Sequence, residues 1–421
     1  MHRFMDSGQL YYLIIPQTVS GQNTDPGLRC GEHFPALRKS LLITLISLSA
    51  ITYSYSQTLT PTFNNVDYVG NNVANQKMDI YIPPGLTSPA PVIVFIHGGG
   101  WSGGSKGPEN VPYFQQCYDY GFVCADINYR LSADSVWPAQ IEDCKTAIRF
   151  LKANAKTYNI DVCRFGVMGE SAGGHLAAMV GTSAGVKTLE GLHQGHTNQS
   201  SRVQAVVDLF GPVDFLKEDG HYPATCGSGG LIHEYRSYET LLLGIDYLHN
   251  HPEIVKTANP VTYITPGDAH FFILHGAEDC IVPPHQSRIL DSALTAAGVR
   301  ADTLIIAAGQ NHGNPFFKDK VRTTLYKNFF LKYLSVPCSS IGIEDTFFQN
   351  ISVFPNPATT EIKIDLPFIN KFTLEIIDTY GNTVLKTQNQ NTINISKLKI
   401  GIYFLRVTSV NKTHTLKILK Q

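Results

Sequence analysis

A five-residue motif, Gly169-Glu170-Ser171-Ala172-Gly173, constrains the fold of this chain more than any other feature of its sequence. The apolar run 165–168 ends directly before the motif, and a helical run of small residues, 171–181, begins inside it. A G-x-S-x-G sequence between a strand and a helix forms a very tight turn that exposes the serine hydroxyl, and its glycines avoid side-chain clashes. Taken alone, the motif is equally typical of a glycine-rich turn that opens a helix. Its position predicts a strand, a sharp turn at Ser171 and a helix.

A run of three glycines, Gly98-Gly99-Gly100, follows the apolar run 91–96. Glycines at the end of a strand let backbone N–H groups approach a substrate oxygen with no side chain in the way. Paired with the N–H of Ala172, the residue after Ser171, this loop predicts an oxyanion hole. A phosphate-binding loop is the alternative, but residues 98–105 lack its G-x-x-x-x-G-K-[ST] pattern.

A serine nucleophile needs a histidine base and a carboxylate that holds the base in the correct tautomer. After a turn of this kind, the acid and then the histidine follow in chain order, in loops at the carboxyl ends of later strands. Asp279 follows the apolar run 271–274, and His312 follows the run 303–307. We therefore predict Ser171, Asp279 and His312 as the catalytic residues. The competing side chains near these loops, which we interpret as structural, are Glu278, Asp214, His275 and His285.

Between residues 78 and 334, short β-rich apolar runs alternate with helical patterns. Predicted strands cover residues 92–96, 122–127, 165–168, 203–209, 271–274 and 303–307, several of them almost continuously apolar, as in a sheet covered on both faces. Predicted helices cover residues 138–158, 171–181, 287–297 and 316–334. This order predicts an α/β fold with a mostly parallel sheet and helices on both faces.

Residues 214–260 interrupt the alternation and are rich in Gly, His and Tyr, with one predicted helix at about 241–248. We interpret them as a lid-like insertion over one end of the sheet. The histidines in and near the insertion lack the compact spacing with carboxylates that is typical of metal sites, so we predict no metal and no cofactor. These histidines are His193, His196, His221, His233, His249 and His251.

The sequence changes character again after residue 334. Residues 335–350 are typical of a linker, and short alternating runs follow at 361–366, 372–377, 392–395, 402–407 and 413–419. Turn residues such as Tyr380-Gly381-Asn382 separate these runs, which predicts a small antiparallel β-sandwich. The tail has no plausible catalytic cluster.

The first 56 residues have the order of a secretory signal peptide. Arg38 and Lys39 precede an apolar run at 41–51 and the small-residue stretch 54–57. The apolar run is short for a membrane-spanning helix, which makes an N-terminal anchor the weaker alternative. Export predicts a compartment in which disulfides form.

The cysteine spacing and the charge balance argue against several other classes of protein. The seven cysteines beyond residue 57 form no C-x-x-C pair, which argues against a zinc knuckle or a thioredoxin-like site, and their odd number leaves at least one thiol unpaired within the chain. Lys and Arg number 33 against 34 Asp and Glu, and no basic run stands out, so no nucleic-acid partner is predicted.

With these motifs in place, residues 78–334 resemble the bacterial feruloyl-esterase-like branch of the α/β-hydrolases, close to hormone-sensitive-lipase-type carboxylesterases. The resemblance implies that the N–H groups of Gly99 and Gly100 act with that of Ala172, and that Arg130 and Asp143 are architectural. Lipase-like relatives carry a longer N-terminal cap, whereas only residues 57–76 precede the first predicted strand here. Further motifs that carry the resemblance are Asn128-Tyr129-Arg130-Leu131, Trp137-Pro138-Ala139-Gln140, Asn259-Pro260-Val261 and Asp279-Cys280-Ile281-Val282-Pro283.

The tail resembles a type A sorting domain of type IX secretion. The motifs are Val353-Phe354-Pro355-Asn356-Pro357, Asp378-Thr379-Tyr380-Gly381 and Leu398-Lys399-Ile400-Gly401-Ile402-Tyr403-Phe404. The resemblance implies that the type IX machinery is a partner and that the chain reaches the surface of a Gram-negative cell or the medium. A sugar-binding β-sandwich is the alternative.

The combined expectation is a secreted serine hydrolase of acetyl, feruloyl or short acyl esters, such as esters carried by polysaccharide, that works through an acyl-enzyme. The alternatives are a serine peptidase of the same fold and an inert hydrolase-fold protein that binds carbohydrate at the cell surface. The expected division is a signal segment at 1–56, an α/β-hydrolase domain at 57–334, a linker at 335–350 and a sorting domain at 351–421.

Overall fold

The computed structural model describes residues 59–227, 233, 235–299, 301–336, 351–366, 371–379, 381–409 and 412–421. The predicted signal segment 1–56, and the predicted linker apart from residues 335 and 336, lie outside this range. The strands up to residue 334 are β1 (Phe63–Asp67), β2 (Lys77–Tyr81), β3 (Ala90–Ile96), β4 (Val123–Ile127), β5 (Ile160–Glu170), β6 (Ala205–Leu209), β7 (His270–Gly276) and β8 (Ala301–Ala307). The helices are α1 (Val111–Asp119), α2 (Ala139–Ala153), α3 (Ala155–Tyr158), α4 (Ala172–Thr182), α5 (Tyr238–Leu243), α6 (Pro252–Thr257), α7 (His285–Ala296) and α8 (Lys320–Leu334).

These strands form one eight-stranded sheet in the order β1-β2-β4-β3-β5-β6-β7-β8. The pairs from β4 to β8 are all parallel, whereas β2 runs antiparallel to both β1 and β4. In parallel strands the carboxyl ends point the same way, so the loops that follow β3, β5, β7 and β8 meet at one edge of the sheet. The predicted catalytic motifs lie in these four loops.

The central strands separate two apolar cores. Because side chains alternate across a strand, Val92, Val94 and Ile96 of β3 pack on one side, with α2, α4 and α7. Ile93 and Phe95 of the same strand pack on the other side, with α1 and α8. Both sides of β3 are therefore buried, which is why its sequence is continuously apolar.

The predicted fold class, a mostly parallel sheet with helices on both faces, is confirmed, and each of the six predicted strands overlaps an observed strand, although those predicted at 122–127 and 203–209 begin one and two residues too early. The strands β1 and β2, which run antiparallel at one end of the sheet with β1 at its edge, are not among these six. Since β1 lies at Phe63–Asp67, the expectation that residues 57–76 precede the first strand is wrong. Strand β1 is largely exposed, so its short sequence lacks the apolar signature of a core strand.

Three predicted helices have different boundaries in the structure, because a nearby side chain or glycine changes the backbone at one end. The predicted helix 138–158 divides into α2 and α3 at Asn154, whose side-chain amide donates to the carbonyl of Phe150 at 2.9 Å and so competes with the helical pattern. The helix predicted at 241–248 ends at Leu243 because Gly244 adopts a left-handed conformation. Helix α8 begins after Asp319, which caps the N–H of Arg322, and residues 315–318 form a separate 3₁₀ turn.

The C-terminal residues form two antiparallel sheets around their own core. A three-stranded sheet has the order β13-β10-β9, and a four-stranded sheet has the order β12-β11-β14-β15. Ile364, Leu374 and Leu405 lie between them in a separate apolar cluster, which confirms the predicted β-sandwich. The strands are β9 (Ser352–Phe354), β10 (Glu361–Asp365), β11 (Thr373–Ile377), β12 (Thr383–Gln388), β13 (Thr392–Asn394), β14 (Gly401–Ser409) and β15 (Lys412–Lys420).

The described cysteines include both free thiols and a disulfide. Cys117, Cys124 and Cys144 are free and buried, whereas Cys226 and Cys280 form a disulfide across 54 residues of sequence. Within the described ranges, no helix combines the length and the apolar character needed to cross a bilayer.

A buried ionic network holds α2 against the segment that follows α4. Glu190 is 2% exposed, and its carboxylate accepts from Lys145 at 3.0 Å and from Arg149 at 3.2 Å. The N–H of Gly185 and the hydroxyl of Ser201 complete its hydrogen bonds, each at 2.9 Å. Lys145 and Arg149 are both fully buried, and both pair with the carboxylate of Glu190. The stability of the network therefore depends on this one negative charge.

We predict that Glu190→Gln lowers the free energy of unfolding by about 3–5 kcal/mol, since it leaves two buried cations without a counter-charge. Urea titration followed by circular dichroism measures this change. Lys187→Ala is the matched control, because the 72%-exposed Lys187 lies 3.8 Å from Asp365 and such surface pairs contribute at most about 1 kcal/mol. If the two substitutions changed the free energy of unfolding equally, the buried network would not contribute more to stability than a surface ion pair, and the prediction would be wrong.

Candidate active site

Ser171 occupies a strained turn between β5 and α4. Its φ of 53° and ψ of −124° are rarely adopted by a residue other than glycine. A Cβ atom on Gly169 would lie 2.2 Å from the carbonyl oxygen of Gly173, and a Cβ on Gly173 would lie 2.1 Å from the carbonyl oxygen of Ile96. Only glycine at both positions lets α4 approach the strands this closely. The G-x-S-x-G pattern is thus a packing requirement of the turn that lifts the Ser171 hydroxyl.

The structure brings the three predicted catalytic residues into one chain of hydrogen bonds. Nε2 of His312 lies 3.0 Å from Oγ of Ser171, and Nδ1 of His312 lies 2.7 Å from Oδ2 of Asp279. Since Asp279 can only accept when ionised, Nδ1 carries the proton and Nε2 presents its lone pair to the serine hydroxyl. This tautomer is the one that can remove the Ser171 proton.

The carboxylate of Asp279 is fully buried and fully hydrogen-bonded. Its Oδ1 accepts from the backbone N–H groups of Ile281 and Val282 at 2.9 and 3.0 Å. Burial by itself raises the pKa of Asp279, but hydrogen bonds from His275 and His312 outweigh burial and hold that pKa below its usual value. Asp279 therefore stays ionised beside His312 over the whole physiological range.

His275, which the sequence indicates only as a competitor of the catalytic residues, is part of this arrangement. Its Nε2 lies 2.9 Å from the carbonyl oxygen of Val282 and 3.3 Å from Oδ2 of Asp279, and its Nδ1 lies 2.8 Å from Oγ of Ser287. It thus contacts the acid without contacting Ser171. The four-residue spacing of His275 and Asp279 is no signal of contact in the sequence, because His275 lies in β7 and Asp279 in the loop after it, not on one helix.

The other side chains that competed for a catalytic role lie outside the series of hydrogen bonds from Ser171 to Asp279. Glu278 is exposed, Asp214 pairs with Lys217 at 3.0 Å, and His285 stacks on His221 with ring centroids 4.1 Å apart. The architectural pair implied by the resemblance is present: Arg130 donates to Asp143 from Nη2 at 2.7 Å and from Nε at 2.9 Å.

A cavity of about 530 Å³ opens at Ser171 and His312 and is lined by the predicted oxyanion loop, with Gly99 and Gly100, and by Ala172. Within the described chain, the backbone N–H groups of Gly99, Gly100 and Ala172 donate to no protein acceptor. Ala172 is the first residue of α4, so its N–H also lies at the positive end of the helix dipole. The three donors line the same cavity as the serine hydroxyl.

The insertion supplies another wall of this cavity. His233, Tyr238 and Glu239 line it, and the Tyr238 ring lies directly beside Gly100. The disulfide between Cys226 of the insertion and Cys280 joins this wall to the loop that carries Asp279. The insertion is therefore covalently tied to the edge of the sheet at which Ser171, Asp279 and His312 meet.

Two family models match the chain. Residues 78–294 match BD-FAE, and residues 352–421 match the secretion system C-terminal sorting domain. The second match confirms the sorting domain, so the chain is a protein of the cell surface or the medium.

Among curated proteins, two esterases of Mycobacterium tuberculosis (strain ATCC 25618 / H37Rv) are similar. Esterase LipQ is 30% identical over 272 residues, which cover 64% of this chain and 60% of that protein. Esterase LipC is 31% identical over 228 residues, which cover 54% of each. The chain thus spans somewhat more than half the length of these two relatives.

Two solved structures share the fold. A truncated form of a carbohydrate esterase from gut microbiota has 30% sequence identity and a TM-score of 0.60, and the match covers 67% of this chain and 99% of that one. A bifunctional GH43-CE protein of Bacteroides eggerthii has 32% identity and a TM-score of 0.59, covering 64% of this chain and 35% of that one. Because the BD-FAE match alone spans more than half of the 421 residues, the chain belongs to the BD-FAE family of α/β-hydrolases.

Proposed function

We propose that this chain is a secreted serine hydrolase that cleaves carboxylic esters through an acyl-enzyme. The observation that carries the proposal is the hydrogen-bonded series Ser171–His312–Asp279, which opens into a cavity lined by unpaired backbone N–H groups. A polarised hydroxyl beside preorganised donors is the arrangement that acyl transfer requires. The similarity to named esterases agrees with this activity.

In the first half of the reaction, Oγ of Ser171 attacks the ester carbonyl carbon while Nε2 of His312 takes the hydroxyl proton. The negative charge moves to the carbonyl oxygen, where the N–H groups of Gly99, Gly100 and Ala172 stabilise it. The ionised Asp279 stabilises the imidazolium that forms. When the carbon–oxygen bond to the alcohol breaks, Nε2 returns its proton to the departing oxygen and an acyl-serine remains.

The second half repeats these steps with water. His312 takes a proton from the water as its oxygen attacks the acyl carbon, and the same three N–H groups bind the second oxyanion. Collapse of this intermediate breaks the bond to Oγ of Ser171, which recovers its proton from His312. The carboxylic acid leaves and the resting hydrogen bonds reform.

For the substrate, we propose acetyl, feruloyl or other short acyl esters carried by extracellular polysaccharide. The sorting domain supports a substrate outside the cell, and the similar carbohydrate esterase supports an alcohol side made of sugar. We propose that residues 57–334 carry out catalysis. The signal segment 1–56 and the domain 351–421 direct export, and residues 335–350 link the two domains. The type IX secretion machinery is then the partner of the C-terminal domain.

We predict that Ser171→Ala lowers kcat by at least about four orders of magnitude, because members of a catalytic triad act as one unit. The measurement is hydrolysis of a p-nitrophenyl series from acetate to octanoate, together with ferulate and acetylated xylan. Circular dichroism of the variant controls for folding.

A fluorophosphonate probe separates the rival activities in the same samples, because it labels only an activated serine. Labelling of the wild type together with cleavage of peptide amides and no cleavage of esters would support a peptidase. Absence of labelling would support an inert carbohydrate-binding scaffold. Near-normal ester turnover by Ser171→Ala would refute the assignment of the nucleophile.

We predict that Gly100→Ala lowers kcat by about 10²-fold, the usual effect of losing one oxyanion donor. The new Cβ would lie 2.5 Å from the Tyr238 ring and would sit on a backbone with a φ of 56°, so the glycine loop is strained and its N–H group is displaced from the cavity. Gly85→Ala is the matched control, since Gly85 also has a positive φ, of 76°, but no atom within 4 Å of an added Cβ. Steady-state kinetics on p-nitrophenyl acetate should show the loss only for Gly100→Ala.

A further inference from the structure

Three ionisable side chains of the insertion, Glu218, His233 and Glu239, form a buried cluster beside the cavity. Glu218 is 0% exposed, His233 2% and Glu239 3%. One nitrogen or oxygen atom from each lies within 4.8 Å of the corresponding atoms of the other two. The three residues come from different parts of the insertion: after a 3₁₀ turn, from the segment before α5, and from the first turn of α5.

The two buried carboxylates of the cluster lack most of the hydrogen-bond donors that a buried carboxylate needs. Neither oxygen of Glu218 accepts a hydrogen bond from any described residue, and Oε2 of Glu239 is also without a donor in that part of the chain. Nε2 of His233 lies 3.1 Å from Oε2 of Glu218, but the two atoms do not meet in hydrogen-bond geometry. Charged carboxylates without partners are very costly to bury, so these two side chains need either a bound cation or protons of their own.

The orientation of His233 makes its Nε2 a free ligand atom. Its Nδ1 lies 3.0 Å from Oδ1 of Asp219 and 3.1 Å from the hydroxyl of Tyr222. That hydroxyl donates to the carbonyl of Ile281, so Nδ1 is the donor toward it and carries the ring proton. Nε2 then presents its lone pair to the carboxylate of Glu218. A histidine fixed by a second carboxylate behind it is the usual setting of a metal ligand in proteins.

We propose that Glu218, His233 and Glu239 bind one divalent transition-metal ion of the zinc class. One imidazole nitrogen and two carboxylate oxygens suit Zn²⁺, whereas Ca²⁺ and Mg²⁺ favour sites made of oxygen alone. Ligand atoms on a tetrahedral Zn²⁺ lie about 3.3 Å apart, given bonds of about 2.0 Å. The separation of 3.1 Å between His233 and Glu218 is close to this spacing.

The ion would hold the insertion in place over the catalytic edge. His233 and Glu239 both line the cavity that contains Ser171, whereas no member of the cluster belongs to the proposed catalytic residues. The ion therefore cross-links three segments of the substrate wall and leaves the chemistry to the serine. Compact spacing, on which the expectation of no metal rests, is absent here because Glu218, His233 and Glu239 lie 15 and 6 positions apart.

The test is calorimetric titration of Zn²⁺ into the purified full chain after removal of bound metal with a chelator. We expect one Zn²⁺ per chain, and a thermal midpoint that rises with Zn²⁺ because the folded state alone offers the site. Glu218→Gln and His233→Asn should abolish stoichiometric binding. Asp219→Asn, which removes the partner of Nδ1, should weaken binding by about 10- to 100-fold. Co²⁺ in place of Zn²⁺ should give the intense visible bands of a tetrahedral site.

The matched control is His251→Asn, since His251 also pairs with a carboxylate, Asp246 at 2.8 Å, but is 39% exposed. This variant should bind Zn²⁺ like the wild type. No binding by the wild type, or equal binding by Glu218→Gln and the wild type, would overturn the proposal. So would a Glu218→Gln variant more stable than the wild type in Zn²⁺, which would mean that the cluster holds a proton. Asp219→Asn and the Co²⁺ spectrum decide the matter if the ligand variants do not fold.

Discussion

The close approach of α4 to the strands at Gly169 and Gly173 is the constraint on which the catalytic edge depends. With any side chain at either position, the helix would move away from β3 and β5. The turn would then relax and Ser171 would leave its unusual backbone conformation. The same approach places the N–H of Ala172 at the start of the helix, beside the glycine loop that follows β3. One steric condition thus sets both the proposed nucleophile and one of the three proposed oxyanion donors.

The parallel sheet supplies the remaining geometry. Since β3, β5, β7 and β8 all run in one direction, their following loops meet at one edge, and residues as distant in sequence as Ser171 and His312 come within 3.0 Å. The electrostatics of that edge depend on Asp279. It remains charged inside the protein because two histidines and two backbone N–H groups contact its oxygens. Its charge fixes the tautomer of His312, whose Nε2 lone pair then faces the Ser171 hydroxyl.

The insertion distinguishes this chain from a bare α/β-hydrolase sheet. It covers the edge of the sheet, joins the acid loop through the disulfide between Cys226 and Cys280, and carries the buried cluster that we assign to a metal ion. The disulfide suits an enzyme that works outside the cell, where disulfides persist. The sorting domain at residues 352–421 agrees with that location.

The sequence by itself determined the α/β fold, the strand–turn–helix at Ser171 and the identity of the residues that meet there. These features are encoded by local spacing and by chain order, and both survive in the linear sequence. The edge strand β1 and the support of Asp279 by His275 were decided by packing that no local pattern records. The tertiary structure alone brought Glu218, His233 and Glu239 together. Their segments are separated by irregular chain, so their approach depends on how the insertion folds back on itself, which neither helical nor strand periodicity specifies.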